Sequence, residues 1–141
     1  MDDSAIVIML KNRETGFLEK ELGFCTIEKD EMLIDTIYAE EKDGSYEIIM
    51  KLTCDREVND WEYDAIYDYY DTEILLNEVN SVEEEAEVYN PTWKVCFDFI
   101  EDSQQLNEKI NSLLKLHKKE LESVYEAIAD KKDDYIDDTK Q

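Results

Sequence analysis

The chain has 141 residues and a mass of 16.7 kDa, and 38 acidic against 15 basic residues leave a formal charge of −23. That balance excludes duplex nucleic acid and anionic membrane as default partners, because phosphate neutralisation needs clustered lysine and arginine. A 43% hydrophobic fraction with 11% aromatics is enough to bury one core, so neither a disordered chain nor a string of domains is expected.

The amino-terminal end carries no basic region, and its first apolar run, residues 5–10, is too short for a signal segment or a membrane span. A cytoplasmic protein is expected. Cys25, Cys54 and Cys96 are widely spaced without a CxxC pair, which reads as three reduced, buried thiols rather than a metal site. Lysine (13) far outnumbers arginine (2) and isoleucine is abundant, a composition that suggests a bacterial source.

Residues 5–11 read as a central strand, 12–16 as a turn, and 17–27 as a second strand with a bulge near Gly23. Two further strands, 32–39 and 46–53, flank the hairpin signal Asp43-Gly44. Residues 59–71 fit both an alternating strand and a helix. The capping pair Asn59 and Glu62 and the many aspartates decide for a helix. Strands are then expected at 74–79, 82–89 and 92–100, with Trp93, Val95, Phe97 and Phe99 facing the core.

Asp102, with Gln105 three residues on, starts the strongest element, a helix over 103–131. Its apolar residues Leu106, Ile110, Leu113, Leu114, Leu121, Val124, Tyr125 and Ile128 fall in one stripe. The fold expected is therefore α+β: a largely antiparallel sheet of six to seven strands, a short acidic aromatic helix mid-chain, and a long C-terminal amphipathic helix packed on the sheet. A single domain would span 1–132, with 133–141 as a frayed acidic tail.

Charge is uneven. Residues 55–101 hold two basic against fifteen acidic residues, and no basic residue lies between Arg56 and Lys94. With helical geometry carried across them, Glu57, Asp60, Asp64, Asp68 and Asp71 share one face, beside Tyr63, Tyr67 and Tyr70. The plain reading of this stripe is a solubilising face; the sharper one is a contact surface for a basic protein, as in an inhibitor, an immunity protein or a nucleic-acid mimic.

Catalytic signals are weak by comparison. There is no EF-hand, P-loop, GxGxxG or GxSxG pattern, so no cofactor, metal or catalytic residue is assigned. His117 lies in the apolar stripe of the long helix and reads as a core histidine. The sequence therefore favours an interaction protein, with a carboxylate-based, Mg-dependent enzyme and a structural self-assembling protein as alternatives. Self-assembly rests on length: a 29-residue helix runs about 43 Å, longer than a small sheet, so Val124, Tyr125 and Ile128 could form a homodimer contact.

Overall fold

The computed structural model describes residues 4–136. Its strands are β1 (Ser4–Lys11), β2 (Leu18–Ile27), β3 (Ile34–Lys42), β4 (Ser45–Leu52), β5 (Ser81–Glu84) and β6 (Trp93–Asp98). They form one sheet in the order β2-β1-β3-β4-β6-β5, antiparallel throughout except where β1 meets β3 in parallel. Helices α1 (Asp60–Tyr69), α2 (Glu73–Leu76), α3 (Ser103–Ile128) and α4 (Lys132–Tyr135) complete the chain. The architecture is the expected α+β one, with α3 packed on the sheet.

Alternation along the strands sends Ile8, Ile48, Met50, Leu52, Trp93, Val95 and Phe97 to the helix-covered face, where all are buried. Across it, α3 presents Leu106, Ile110, Leu113, Leu114, Leu121, Val124 and Ile128, each 2% exposed or less. The Asp102 carboxylate caps α3 by accepting from the Gln105 amide at 3.0 Å. Phe99, expected in the core, is half-buried at the rim, edge-on to Tyr46 and close beneath Gly23.

A helix and an edge strand are joined by side chains. Asn107 Oδ1 accepts from the Thr26 amide at 3.0 Å, Asn111 Oδ1 accepts from the Glu28 amide at 3.0 Å, and Asn111 Nδ2 donates to the Thr26 carbonyl at 2.8 Å. Backbone groups that an edge strand would leave open are thus satisfied by α3.

Several boundaries differ from those expected. The third strand starts only at Ile34, because Glu31–Leu33 form a 3-10 turn entered through Asp30 in a left-handed conformation at φ 68°. Residues 74–79 are not a strand: Asp71 Oδ1 accepts from the Glu73 amide at 3.1 Å and starts the turn α2, which buries Leu75. The run expected at 82–89 pairs only through Glu84, since Glu87 takes a left-handed φ of 59° and Pro91 has no amide to donate.

The long helix ends at Ile128 rather than 131, so its 26 residues run about 39 Å. Its last apolar turns are covered within the same chain: Val124 is 2% exposed, Ile128 1%, and Tyr125 is half-buried with Arg56 stacked on its ring at 3.8 Å. The overhang on which Val124, Tyr125 and Ile128 were expected to contact a second chain is therefore absent. Residues 133–135 of the expected tail belong to α4 instead. Tyr135 donates to Asp68 Oδ2 at 2.7 Å and its ring lies 6.4 Å from that of Trp61. Residues 137–141 lie outside the described chain.

His117 is fully buried, as its place in the stripe implied. Its Nε2 lies 2.7 Å from the Thr53 carbonyl, which can only accept, so Nε2 carries the hydrogen and Nδ1 accepts from the Tyr70 hydroxyl at 2.8 Å. Burial holds this imidazole down at about 4, well under the ordinary 6.5. Trp93 stacks on Tyr70 at 4.2 Å and meets His117 edge-on at 5.4 Å.

Leu113→Ala, which empties a fully buried site, is expected to lower stability in urea denaturation by about 2 to 5 kcal/mol. A loss under about 0.5 kcal/mol, the scale of a surface change, would contradict the packing. For His117, a base with a depressed folded value, the contribution is full above pH 6.5 and is lost as pH falls from 6.5 through 4, by about 3 kcal/mol in all. As the chain's sole histidine, its imidazole NMR signals should stay unshifted from pH 8 to about 5. A midpoint near 6.5 would overturn the burial argument.

Candidate partner-binding groove

Helix α1 begins where the sequence puts its cap: Glu62 Oε1 accepts from the Asn59 amide at 2.9 Å, closing the capping box. Ala65 and Ile66 point inward and are buried, which turns Asp60, Asp64 and Asp68 outward. Like charges one turn apart cost a few tenths of a kcal/mol per pair. The helix tolerates them because its inner face packs on α3.

Tyr63 and Tyr67 stand one turn apart and are T-stacked at 5.3 Å. Both clamp the loop 85–92. Tyr63 donates to the Val88 carbonyl at 3.0 Å, while Tyr67 donates toward the Glu85 carbonyl at 2.7 Å and accepts from the Thr92 amide at 2.9 Å. Burial pushes the Tyr67 phenol well above its ordinary value. These hydroxyls fix a loop that has left the sheet ladder.

Between α1 and this loop lies an open groove of about 590 Å³. Asp60 and Asp64 form one wall, Glu87 and Tyr89 the other, with Val58, Tyr63 and Val88 also lining it. Tyr89 is 77% exposed. A hydrogen bond with Glu57 raises its phenol above the ordinary value and draws that carboxylate to the same side. Among the described residues, neither Asp60, Asp64 nor Glu87 has a lysine or arginine within ion-pair distance.

The five acids expected on one stripe are thus divided. Glu57 precedes α1 and Asp71 follows it, so neither extends the helical row. Asp60 and Asp64 reach the groove, Asp68 accepts from Tyr135, and Asp71 starts α2 while its amide donates to Glu120 at 2.9 Å. Of the three tyrosines, Tyr70 is 6% exposed with its hydroxyl on His117 and is removed from the surface; Tyr67 is half-buried beneath the loop, and only Tyr63 borders the groove. Glu87 and Tyr89 are the wall residues the sequence reading missed. Their only signal was proximity to the Asn90-Pro91 turn.

Elsewhere some acids find cations through tertiary contacts. Lys118 lies 2.9 Å from Asp55, which also accepts from Tyr125 at 3.1 Å; burial pushes the Asp55 carboxyl up, and the Lys118 hydrogen bond and charge together with the Tyr125 hydroxyl outweigh it and leave the group below its ordinary value. The three cysteines are buried and unpaired, and burial raises Cys25 and Cys54 to about 11, far from a reactive thiolate. Among the described residues no group of three or more His, Cys, Asp or Glu converges as a metal site, and no helix is long and apolar enough to cross a membrane.

Fold and groove together define a small α+β domain whose sheet is helix-covered on one face and whose mid-chain helix bears an acidic wall without a cation partner among the described residues. The chain belongs to a family of unknown function, DUF6762, whose model matches residues 1–136. No significant match was found among curated proteins or solved structures.

Tyr67→Phe keeps the ring and leaves buried loop groups without their hydroxyl, so it is expected to cost about 1 to 3 kcal/mol and to speed amide exchange over 85–92. Unchanged exchange would show that the loop is held by something other than α1.

Proposed function

We propose that this protein is an interaction module that presents the α1 groove to a basic protein surface in a bacterial cytoplasm, in the manner of an inhibitor, an immunity protein or a nucleic-acid mimic. The observation that carries this reading is the pairing of unneutralised Asp60, Asp64 and Glu87 with the exposed Tyr89 across one concavity. Carboxylates spaced along a rigid helix offer arginine and lysine the kind of acceptor row that a phosphate backbone offers. Tyr89 adds a ring face on which a guanidinium can stack. The charge of −23 speeds encounter with such a partner and makes the encounter salt-dependent.

The test compares binding of an arginine-rich peptide to the wild-type chain, to Asp60→Asn/Asp64→Asn/Glu87→Gln, and to a variant of equal charge change, Glu14→Gln/Glu41→Gln/Glu126→Gln, on exposed residues outside the groove. The groove variant should fold normally, gain slightly in stability from relieved repulsion, and bind about tenfold more weakly with a shallower salt dependence, a loss of about 1.4 kcal/mol. The control variant should lose far less. Equal losses would reduce the effect to net charge and overturn the groove as the site.

A further inference from the structure

Helix α4 packs on α1 against the local charge. It is four residues long and buries none of them fully. Lys132 against Asp133 and Asp134 leaves it negative, and it lies beside Asp68 of a helix that also carries Asp60 and Asp64. Like charges brought together cost free energy, so another contact must hold α4 down.

That contact is made by one side chain. The Tyr135 hydroxyl donates to Asp68 Oδ2 at 2.7 Å, and its ring lies 6.4 Å from that of the half-buried Trp61. The Asp68 hydrogen bond, then burial and the charges of Asp68 and Asp134, push the Tyr135 phenol up to about 12. Among the described residues, the other hydrogen bonds of 131–136 and the Lys131 ion pair stay within 128–136. A segment tied to the rest of the fold at so few points opens locally at small cost.

The tie falls beside the groove. Trp61, Asp64 and Asp68 stand at i, i+3 and i+7 and share one side of α1, and Asp64 also lines the groove against loop 85–92. From this we infer that α4 is a strap across the acid row of α1, keeping Asp68 Oδ2 and the Trp61 ring from a basic partner until that partner lifts it. The inference rests on the α1 groove as the site for such a partner and adds its regulation. With the strap down, the row offered is Asp60 and Asp64. With it raised, Asp68 extends the row by about 6 Å along the helix, and Trp61 presents an indole face to a guanidinium. A partner's arginine competes with the Tyr135 hydroxyl for the same carboxylate oxygen, and its charge-assisted hydrogen bond is the stronger.

Two measurements on the full chain report the strap itself: amide exchange over 132–136, and acrylamide quenching of tryptophan fluorescence, which reads Trp61 because Trp93 is fully buried. Since α4 is docked against like charge, both should fall as salt rises from about 10 to about 300 mM. Tyr135→Ala removes no fully buried side chain, so it should keep the fold and raise both. It should also bind an arginine-rich peptide about threefold more tightly, with Tyr135→Phe in between. Adding Asp68→Asn to Tyr135→Ala should cancel the gain, and saturating peptide should speed exchange over 132–136 in the wild-type chain. Exchange and quenching that ignore Tyr135→Ala or rise with salt would overturn the strap. So would opening without tighter binding, a gain that survives Asp68→Asn, or bound peptide that leaves 132–136 protected; each of these leaves the groove standing. Peptide binding indifferent to Asp60→Asn/Asp64→Asn/Glu87→Gln would instead overturn the groove, and the regulation with it.

Discussion

The structure depends on a buried polar contact in an otherwise apolar core: the His117 imidazole, held between the Thr53 carbonyl and the Tyr70 hydroxyl. Each of its nitrogens has one partner, so a group that would be costly to bury alone is fully satisfied as the neutral tautomer. The contact joins the middle of α3, the end of α1 and the exit of β4. Trp93 of β6 is stacked into the same cluster, so helix, sheet and mid-chain segment share one fixed point. A hydrophobic stripe alone lets a helix slide along a sheet; directional hydrogen bonds remove that freedom.

From this point the surface is decided outward in two directions. Tyr63 and Tyr67, on the turns of α1 that precede Tyr70, clamp the loop 85–92, and that clamp makes a concavity out of what would otherwise be a helix and a detached strand end. At the other side of the sheet, Asn107 and Asn111 of α3 hold the carboxyl-terminal end of β2, which leaves the β1-β2 hairpin with its outer face bare. Alternation sends both signs of charge to the bare face, as Glu47 and Lys51 of β4 show, while the acids of α1 turn away from the core.

The unevenness of charge along the chain thus has a three-dimensional counterpart. Some mid-chain acids are neutralised by cations distant in sequence, as Asp55 is by Lys118 and Glu85 by Lys51, and others accept from hydroxyls or amides, as Asp68 and Asp71 do. Asp60, Asp64 and Glu87, which have no cation partner among the described residues, share one groove. Their separation from the neutralised acids is a matter of which side chains the fold brings near, and the net charge of the segment contains no trace of it.

Local physics made much of the fold legible. An unbroken apolar run marked β1, a β-rich run beside Asp43-Gly44 marked β4 and alternation marked β6, the Asn59-Glu62 and Asp102-Gln105 pairs marked the helix starts, and the 3.6-residue stripe marked α3 and placed His117 inside, because these signals depend only on near neighbours along the chain. Residues 74–79 and 82–89 misled because short apolar or acidic runs fit a strand and a turn equally well, and only packing of Leu75 on the core and the left-handed Glu87 decided between them. The covering of Val124 and Ile128, the burial of Tyr70, and the meeting of Glu87 and Tyr89 with Asp60 and Asp64 join residues more than twenty positions apart. Composition and periodicity determined the class of fold and the sign of its charge; which carboxylates stand unpaired, and which sheet face stays bare, was decided by long-range contacts that no local pattern encodes.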